Sequence, residues 1–133
     1  MTYSPAEQFG AALRSLAARP GVLAALMASE DGLPIAVQMG PGHDAEIWSA
    51  AASVMGRLAQ RALTEMGKGD LEVGVIDTDR FRIVLRPLSV GFLLAVCGSE
   101  ASIVQIAARM AEVAVALDHA AAPMMGVPAV ALG

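Results

Sequence analysis

Two short apolar runs near the start of the chain predict a β-hairpin. The runs cover residues 22–28 and 33–39, and Glu30-Asp31-Gly32 separates them. Asp-Gly between apolar runs is typical of a type I′ turn, which needs positive φ at both central residues. The first run lacks polar alternation, which is typical of a strand covered on both faces. Pro34 favours an edge position for the second strand, because proline cannot donate to a ladder.

Helix signals lie on both sides of this hairpin. Residues 4–7, Ser-Pro-Ala-Glu, combine a capping residue, a proline suited to the first turn and an acid at the third position. This first helix should end at Arg19-Pro20-Gly21. Asp44 is a good cap for a second helix over residues 45–66, which Gly67-Lys68-Gly69 should terminate.

The second helix is apolar on more than one side. One face carries Ile47, Ala51, Val54 and Leu58; an adjoining face carries Trp48, Ala52, Met55, Ala59 and Ala62; a third side is small, with Ser49, Ser53 and Gly56. A helix with so broad an apolar surface is buried by more than one partner. We therefore expect it to cover a sheet and also to meet its counterpart in a second copy of the chain.

Three further strands and a last helix follow. Alternation predicts strands over residues 71–76 and 81–86, and an apolar run predicts a central strand over 90–97. Pro87-Leu88-Ser89 is expected to form a turn. Ser99 is expected to cap a helix that fades near His119.

The predicted order is α-β-β-α-β-β-β-α, and short connections imply antiparallel neighbours. The fold class is therefore α+β, with one five-stranded antiparallel sheet and helices on both faces. The first and third helices should share one face, and the second should cover the other. We expect one domain over residues 1–120, followed by an apolar tail over 121–133 that contains Pro123, Gly126 and Pro128 and is not helical.

The composition points to self-association. Apolar residues make up 56% of the chain, whereas about 45–50% is usual even when glycine is counted. Only 17% of residues are charged, and the mean hydropathy is +0.58. Alanine abundance explains part of this excess, and a dimer interface is the natural explanation for the rest.

Charge, cysteine content and the amino terminus limit the class of protein. The net charge of −4 argues against a general nucleic-acid binder. The single cysteine excludes an internal disulfide and suits a reducing compartment. The chain starts without a signal-peptide pattern, and its apolar runs are shorter than the roughly 18 residues of a membrane span. We therefore expect a cytoplasmic protein without a membrane span.

Residues that would support catalysis or cofactor binding are scarce. Neither a GxxxxGK[ST] nor a GxGxxG phosphate loop occurs, and His43, His119 and Cys97 are scattered along the sequence. His43 is interpreted as a loop residue, His119 as a helix-terminal cation and Cys97 as a small buried hydrophobe rather than a nucleophile. We expect no catalytic residues, no metal and no cofactor, and hence no enzymatic activity of the chain itself.

Several larger side chains allow two interpretations. Arg57 and Arg61 either solvate the second helix, with an ion pair to Glu65, or contact an acidic partner or phosphate. Trp48 belongs either to the core or to an interface. Met124 and Met125 belong either to a docked tail or to an adaptable contact. We take Trp48, Arg57 and Arg61 as candidate partner-binding residues.

The order of elements and several local motifs resemble the roadblock/dynein light chain family over about residues 5–120. The carriers are Pro20-Gly21-Val22, the hairpin segment 31–36, the helix 44–66, the stop at 67–71, and Pro87-Leu88 leading into 90–96. The resemblance implies a homodimer in which third strands pair across a two-fold axis and second helices pack side by side. The expected dimer interface contains Ile47, Ala51, Ala52, Met55, Gly56, Ala59, Leu71, Val73 and Val75.

The resemblance also implies a function. Members of this family regulate or scaffold Ras-like small GTPases, or serve as dynein light chains. A bacterial branch of similar size stimulates GTP hydrolysis by reshaping the site of its partner, without an arginine finger. The main hypothesis is a homodimer that binds a Ras-like small GTPase, either as a regulator such as a GTPase activator or as a scaffold. The alternative is a dimeric scaffold subunit of a sensor-kinase or motor complex without a nucleotide link.

Overall fold

Three helices and five strands follow one another in the predicted order. The computed structural model describes residues 3–126. The elements are α1 (Pro5–Ala17), β1 (Val22–Ser29), β2 (Pro34–Met39), α2 (Ala45–Met66), β3 (Gly74–Asp77), β4 (Phe81–Leu88), β5 (Gly91–Gly98) and α3 (Ile103–Ala121), with a short 3₁₀ helix at Ala122–Met125. The predicted α-β-β-α-β-β-β-α order and the α+β class are confirmed.

All five strands form one antiparallel sheet in the order β2-β1-β5-β4-β3. The two apolar runs predicted to be central, now β1 and β5, lie side by side in the middle and are almost entirely buried. β2 lies at one edge, as Pro34 predicted, and β3 lies at the other.

Helices cover both faces of this sheet and create two cores. Helices α1 and α3 pack on one face around Leu13, Leu16, Met110 and Leu117. Helix α2 packs alone on the other face, where Phe92 is among the buried side chains of β5. The expected division of helices between the two faces is confirmed.

The hairpin is present, but the expected type I′ turn is wrong. No non-glycine residue between positions 3 and 126 has a positive φ, so Asp31 does not adopt the conformation that this turn requires. Gly32 has φ 87°, and its N–H donates to Ser29 O at 3.0 Å. Glu30-Asp31-Gly32 therefore forms a three-residue loop with glycine in the left-handed position. Ser53 Oγ of α2 donates to Glu30 O at 2.5 Å and holds this loop onto the helix.

Helix ends follow the capping signals in two helices out of three. Ser4 accepts a hydrogen bond from Glu7 N, and Asp44 caps α2 through Glu46 N and Ile47 N. Gly67 ends α2 in the left-handed conformation, with φ 66°. The predicted cap of α3 at Ser99 is wrong, because Ser102 occupies that position. Ser99 belongs instead to a turn that buries Ala101.

Two predicted strand boundaries are also wrong. β3 begins at Gly74 rather than at Leu71, whose N–H donates to Gln60 Oε1 at 2.8 Å instead of to a strand. β4 continues through Pro87, which was expected to turn the chain. β3 pairs only with residues 82–85 of β4. At Pro87, the side of β4 that faces β3 therefore makes no ladder hydrogen bonds and accommodates a residue without an N–H.

The end of α3 passes the predicted domain boundary. The helix continues to Ala121, so the boundary at residue 120 lies inside it, and Ala122 is still buried. The expectation of a non-helical tail is wrong for residues 123–125, which belong to the 3₁₀ helix. The rest of the predicted tail, residues 127–133, lies outside the described residues.

Gly56 lies against the sheet of its own chain rather than against a second helix. A Cβ atom added at Gly56 would lie 2.2 Å from a ring carbon of Phe92. We expect Gly56→Ala to lower the free energy of unfolding by about 1–3 kcal/mol, because an overpacked core forces side chains off their preferred rotamers. Chemical denaturation measures this change.

Gly10→Ala is the matched control, since Gly10 also lies within a helix. A Cβ there would meet only the flexible end of Arg14 at 3.3 Å. The higher helix propensity of alanine should therefore raise the stability by up to about 1 kcal/mol. Similar effects of the two substitutions would contradict the contact between Gly56 and Phe92.

A bidentate ion pair joins β3 to β4. Arg82 Nε donates to Asp77 Oδ1 at 2.7 Å and Nη2 donates to Oδ2 at 3.1 Å, while Nη1 donates to Ala101 O at 3.2 Å. The hydrogen bonds from Arg82 lower the pKa of Asp77, although desolvation opposes them. Because the pKa is lower in the folded state, this pair contributes stability at neutral pH that is lost as the pH falls through that pKa.

We expect Arg82→Gln to raise the pKa of Asp77 towards its ordinary value. A carboxyl titration followed by NMR measures this. Arg80→Gln is the control, since Arg80 lies over the ring of Phe81 and makes no ion pair with Asp77 within the described chain. An unchanged pKa of Asp77 in the Arg82 variant would contradict the assignment.

Candidate functional site

The side of α2 that faces the sheet is built from small residues. Ser49, Ala52, Ser53 and Gly56 are buried there, and together they let the helix lie close to β1 and β5. This contact uses the positions that were expected to allow close approach of two second helices. Ala52 and Gly56 are thus buried against the sheet of their own chain, and the dimer interface that includes them stays a prediction.

The opposite side of α2 exposes an apolar row. Ile47, Ala51, Val54 and Leu58 recur at spacings of four, three and four, so they lie along one line of the helix. We call this row the α2 stripe. Ile47 is 65% exposed and Leu58 is 61% exposed. Large apolar side chains in a continuous exposed row are typical of a surface that another protein covers.

Arg57, Gln60 and Arg61 border one flank of this stripe. They line a groove of about 380 Å³ whose other wall contains Leu71, Pro87 and Phe92. Arg61 Nε lies 3.2 Å from Glu65 Oε1, and both side chains are largely exposed. The ion-pair interpretation of Arg61 thus matches the structure, and an exposed pair of this kind contributes little stability. Among residues 3–126, the one hydrogen bond of Arg57 Nε is a long one of 3.4 Å to Ser53 O.

Trp48 lies on the other flank of α2. It is nine residues from Arg57, which corresponds to half a turn around the helix. Trp48 is half-buried, packs against the α2-side core together with Met55, and meets the ring of His43 edge-on at 4.7 Å between centroids. The structure therefore does not bring Trp48 and Met55 into one patch with Arg57 and Arg61.

The edge strand β3 offers a second unpaired surface. Its outer side has no neighbouring strand within the described chain. Val75 and Ile76 of the strand are exposed, and so is Val73 just before it. An exposed edge carries unpaired N–H and C=O groups that can pair with another strand. Leu71 differs from its neighbours, since it is half-buried against the α2-side core.

The remaining predicted interface residues fall into two groups. Ile47, Ala51, Val73 and Val75 are exposed, whereas Met55 and Ala59 are half-buried. Val54 and Leu58 are also exposed on this side of α2; their spacing placed them on one face with Ile47, but they were not among the predicted interface residues. Their exposure depends on which side of α2 faces the sheet, and only the structure shows that orientation.

Few side chains are arranged for chemistry. Within residues 3–126, no group of three or more His, Cys, Asp or Glu side chains could hold a metal ion. Cys97 is fully buried in β5, and burial raises the pKa of its thiol although Arg82 opposes this shift. A buried thiol with a raised pKa is a poor nucleophile. In the same range, the helices are too short or too polar to cross a membrane.

Solved structures share this architecture. A Roadblock/LC7 domain from Streptomyces avermitilis has 24% sequence identity and a TM-score of 0.74, over 87% of this chain and 96% of that one. The gliding protein MglB from Thermus thermophilus has 14% identity and a TM-score of 0.79, over 91% and 93%. MglB from Myxococcus xanthus has 9% identity and a TM-score of 0.78, over 84% and 92%. At these identities, the likeness shows the fold alone.

Sequence comparison gives the family. No curated protein sequence matches this chain. The model of the Roadblock/LC7 domain matches residues 8–97, which is more than half of the chain and includes α2, β3 and β4. The chain therefore belongs to the Roadblock/LC7 family.

Proposed function

We propose that the chain acts as a homodimer that binds a Ras-like small GTPase and regulates or scaffolds it. The observation that carries the dimer is the exposed α2 stripe, which faces away from the sheet that α2 itself covers. Membership of the Roadblock/LC7 family supports the GTPase as the partner. The same proposal assigns the dimer to the cytoplasm.

The dimer would use the two surfaces that the single chain leaves open. A two-fold axis beside β3 would pair the free edge of one copy with that of the other, which satisfies backbone groups on both strands. The same axis would bring the α2 helices towards each other over one face of the enlarged sheet. The α2 stripe then supplies the apolar contact, while Ala52 and Gly56 stay against the sheet.

The GTPase contact is proposed for Arg57 and Arg61. Both arginines line an open groove whose lining also includes the apolar residues Leu71, Pro87 and Phe92. Arginine donates paired hydrogen bonds to carboxylates, which suits an acidic surface near a nucleotide site. The chain itself would contribute no catalytic group, so any stimulation of hydrolysis would come from a change in the partner.

We expect Leu58→Asp to weaken the dimer. Two-fold symmetry brings both copies of Leu58 into the contact, and each loses about 1.5–3 kcal/mol of apolar burial, so the total is about 3–6 kcal/mol. Analytical ultracentrifugation over a concentration series measures the change. Wild-type protein should sediment as a dimer of two 13.6 kDa chains.

Val104→Asp is the matched control for this substitution. Val104 is 81% exposed on α3, so it lies on the opposite face of the sheet. The Val104→Asp substitution should leave the dissociation constant of the dimer unchanged. A wild-type protein that is monomeric at micromolar concentration would contradict the proposed dimer. Equal weakening of the dimer by Leu58→Asp and Val104→Asp would show that the dimer contact does not lie on α2.

We expect a small GTPase from the same genome to bind the dimer with different affinities in its two nucleotide states. Arg57→Glu and Arg61→Glu should each weaken this binding about 10-fold or more, close to 1.4 kcal/mol, because each replaces attraction by repulsion of acidic groups. Calorimetry measures the affinity, after sedimentation and melting show that the dimer is intact.

Arg14→Glu is the charge-matched control, since Arg14 is exposed on α1 across the sheet. Its affinity for the GTPase should equal that of the wild type. Unchanged affinity in the Arg57 and Arg61 variants would place the partner elsewhere. An intact dimer that binds no GTPase in either nucleotide state would favour a scaffold subunit without a nucleotide link.

A further inference from the structure

The connection between α2 and β3 leads directly into the free edge of the sheet. It covers residues 67–73, which belong to neither a helix nor a strand. Backbone hydrogen bonds tie Gly67 and Lys68 to the last turn of α2. Gly69 then adopts a positive φ of 96°, which changes the direction of the chain. The remaining residues, 70–73, run to the start of β3, so their position decides where that edge lies.

The side chain of Gln60 on α2 holds these residues. Gln60 Oε1 accepts from Leu71 N at 2.8 Å, and Gln60 Nε2 donates to Asp70 Oδ1 at 3.2 Å. Gln60 Nε2 also donates to Thr64 Oγ1 at 3.1 Å. A carboxamide has one oxygen and two N–H groups, so this arrangement uses both of its donors as well as its acceptor. Because Leu71 N–H can only donate, the oxygen of Gln60 must be the atom that faces it.

The bonds to Asp70 and Leu71 differ from the usual side-chain pairs on a helix surface. Such pairs join residues three or four positions apart, whereas Gln60 reaches residues ten and eleven positions further along the chain. Gln60 is half-buried, so water competes with these bonds less than at a fully exposed position. The bonds therefore attach the connection to α2 rather than stabilise the helix itself.

Leu71 passes this attachment on to the edge of the sheet. Its side chain is half-buried against the α2-side core, which restricts it from a second direction. Three residues, about 10 Å of extended chain, separate Leu71 from Gly74, where pairing with β4 begins. So short a connection carries the position of Leu71 to the first residue of β3.

Two anchors thus hold β3, which is four residues long and pairs on one side within residues 3–126. The ion pair of Asp77 and Arg82 holds its last residue. The contact between Gln60 and Leu71 holds the chain just before its first residue. A strand that is ordered in the single chain loses less conformational entropy when a second copy pairs with it.

We infer that Gln60 is a positioning residue for assembly. Its carboxamide fixes Asp70 and Leu71, and so orders the β3 edge in the single chain before a second copy pairs with it. The inference rests on the dimer proposed above, in which the two β3 edges pair.

Hydrogen exchange followed by NMR tests the order of β3 in the single chain. Leu58→Asp supplies the background, since this substitution is expected to weaken the dimer. In that background, Gln60→Leu should speed the exchange of the Leu71 amide and of the β3 amides bonded to β4 about 5-fold or more, as expected for the loss of one hydrogen bond. The amides of β1 and β5 should keep their rates. A merely destabilising substitution would speed the exchange of these central strands as well.

Sedimentation without the Leu58→Asp background tests the effect on assembly. If each Gln60→Leu chain has an ordered edge for about a third of the time, the dissociation constant of the dimer rises about 10-fold, because both copies must be ordered. Gln105→Leu is the matched control, since Gln105 is exposed on α3 across the sheet. It should leave the exchange rates and the dissociation constant unchanged.

A reversal of hydrogen-bond polarity separates positioning from a loss of stability. Gln60→Glu keeps an acceptor for Leu71 N but places a second carboxylate beside Asp70, so it should also weaken the dimer. Asp70→Asn in the same chain offers a new donor to that carboxylate and should restore most of the affinity. Two substitutions that only lowered the stability would instead add their effects.

The two measurements distinguish failure of the inference from failure of the proposed dimer. Unchanged exchange of Leu71 and β3 in the Gln60→Leu variant would overturn the inference. Faster exchange with an unchanged dissociation constant would also overturn it, while the proposed dimer would stand. A monomeric wild-type protein would contradict the dimer instead, and the exchange of β3 would then decide alone whether Gln60 positions this strand.

Discussion

The close contact between Gly56 and Phe92 determines how the outer surface of this protein is arranged. Helix α2 covers one face of the sheet alone, and its small residues bring its backbone near the ring of Phe92. Once this side is directed inward, the 3.6-residue period places Ile47 and Leu58 outward. The exposed apolar row on α2 is therefore a consequence of the tight packing on its other side.

The two edges of the sheet differ in a way that matters for assembly. β2 begins with Pro34, which lacks a donor and suits an edge that stays unpaired. β3 has four residues without proline, and it is joined to β4 by the ion pair of Asp77 and Arg82. An edge that is held in place and carries the exposed side chains of Val75 and Ile76 is suited to pairing with a second copy, whereas the β2 edge is not.

The two faces of the sheet present separate apolar rows. The α2 stripe has arginines along one flank, so it combines an apolar contact with charges that can select a partner. On the other face, the outer side of α3 exposes Val104 and Val115. A single chain with two such surfaces explains why its apolar content exceeds what one small core requires.

The sequence by itself determined the elements that depend on local signals, and only the tertiary structure decided which side of α2 faces inward. Caps at Ser4 and Asp44, the stop at Gly67 and the edge position of Pro34 follow from chemistry within a few residues, and the structure confirms each of them. Continuous apolar runs also predicted the central strands β1 and β5, because a strand buried on both faces needs no polar alternation.

The side of α2 that packs on the sheet could not be predicted in the same way. Periodicity grouped the residues of α2 into faces correctly, but each of these faces, whether apolar, small or mixed, could have packed against the sheet. The choice depends on the shape of the sheet, since the ring of Phe92 fills the space that a side chain at position 56 would need. For the same reason Trp48 and Arg57, which were candidates for one binding patch, lie on opposite flanks of α2. Which side of α2 stays exposed thus depended on a contact between positions 56 and 92, which no local pattern contains.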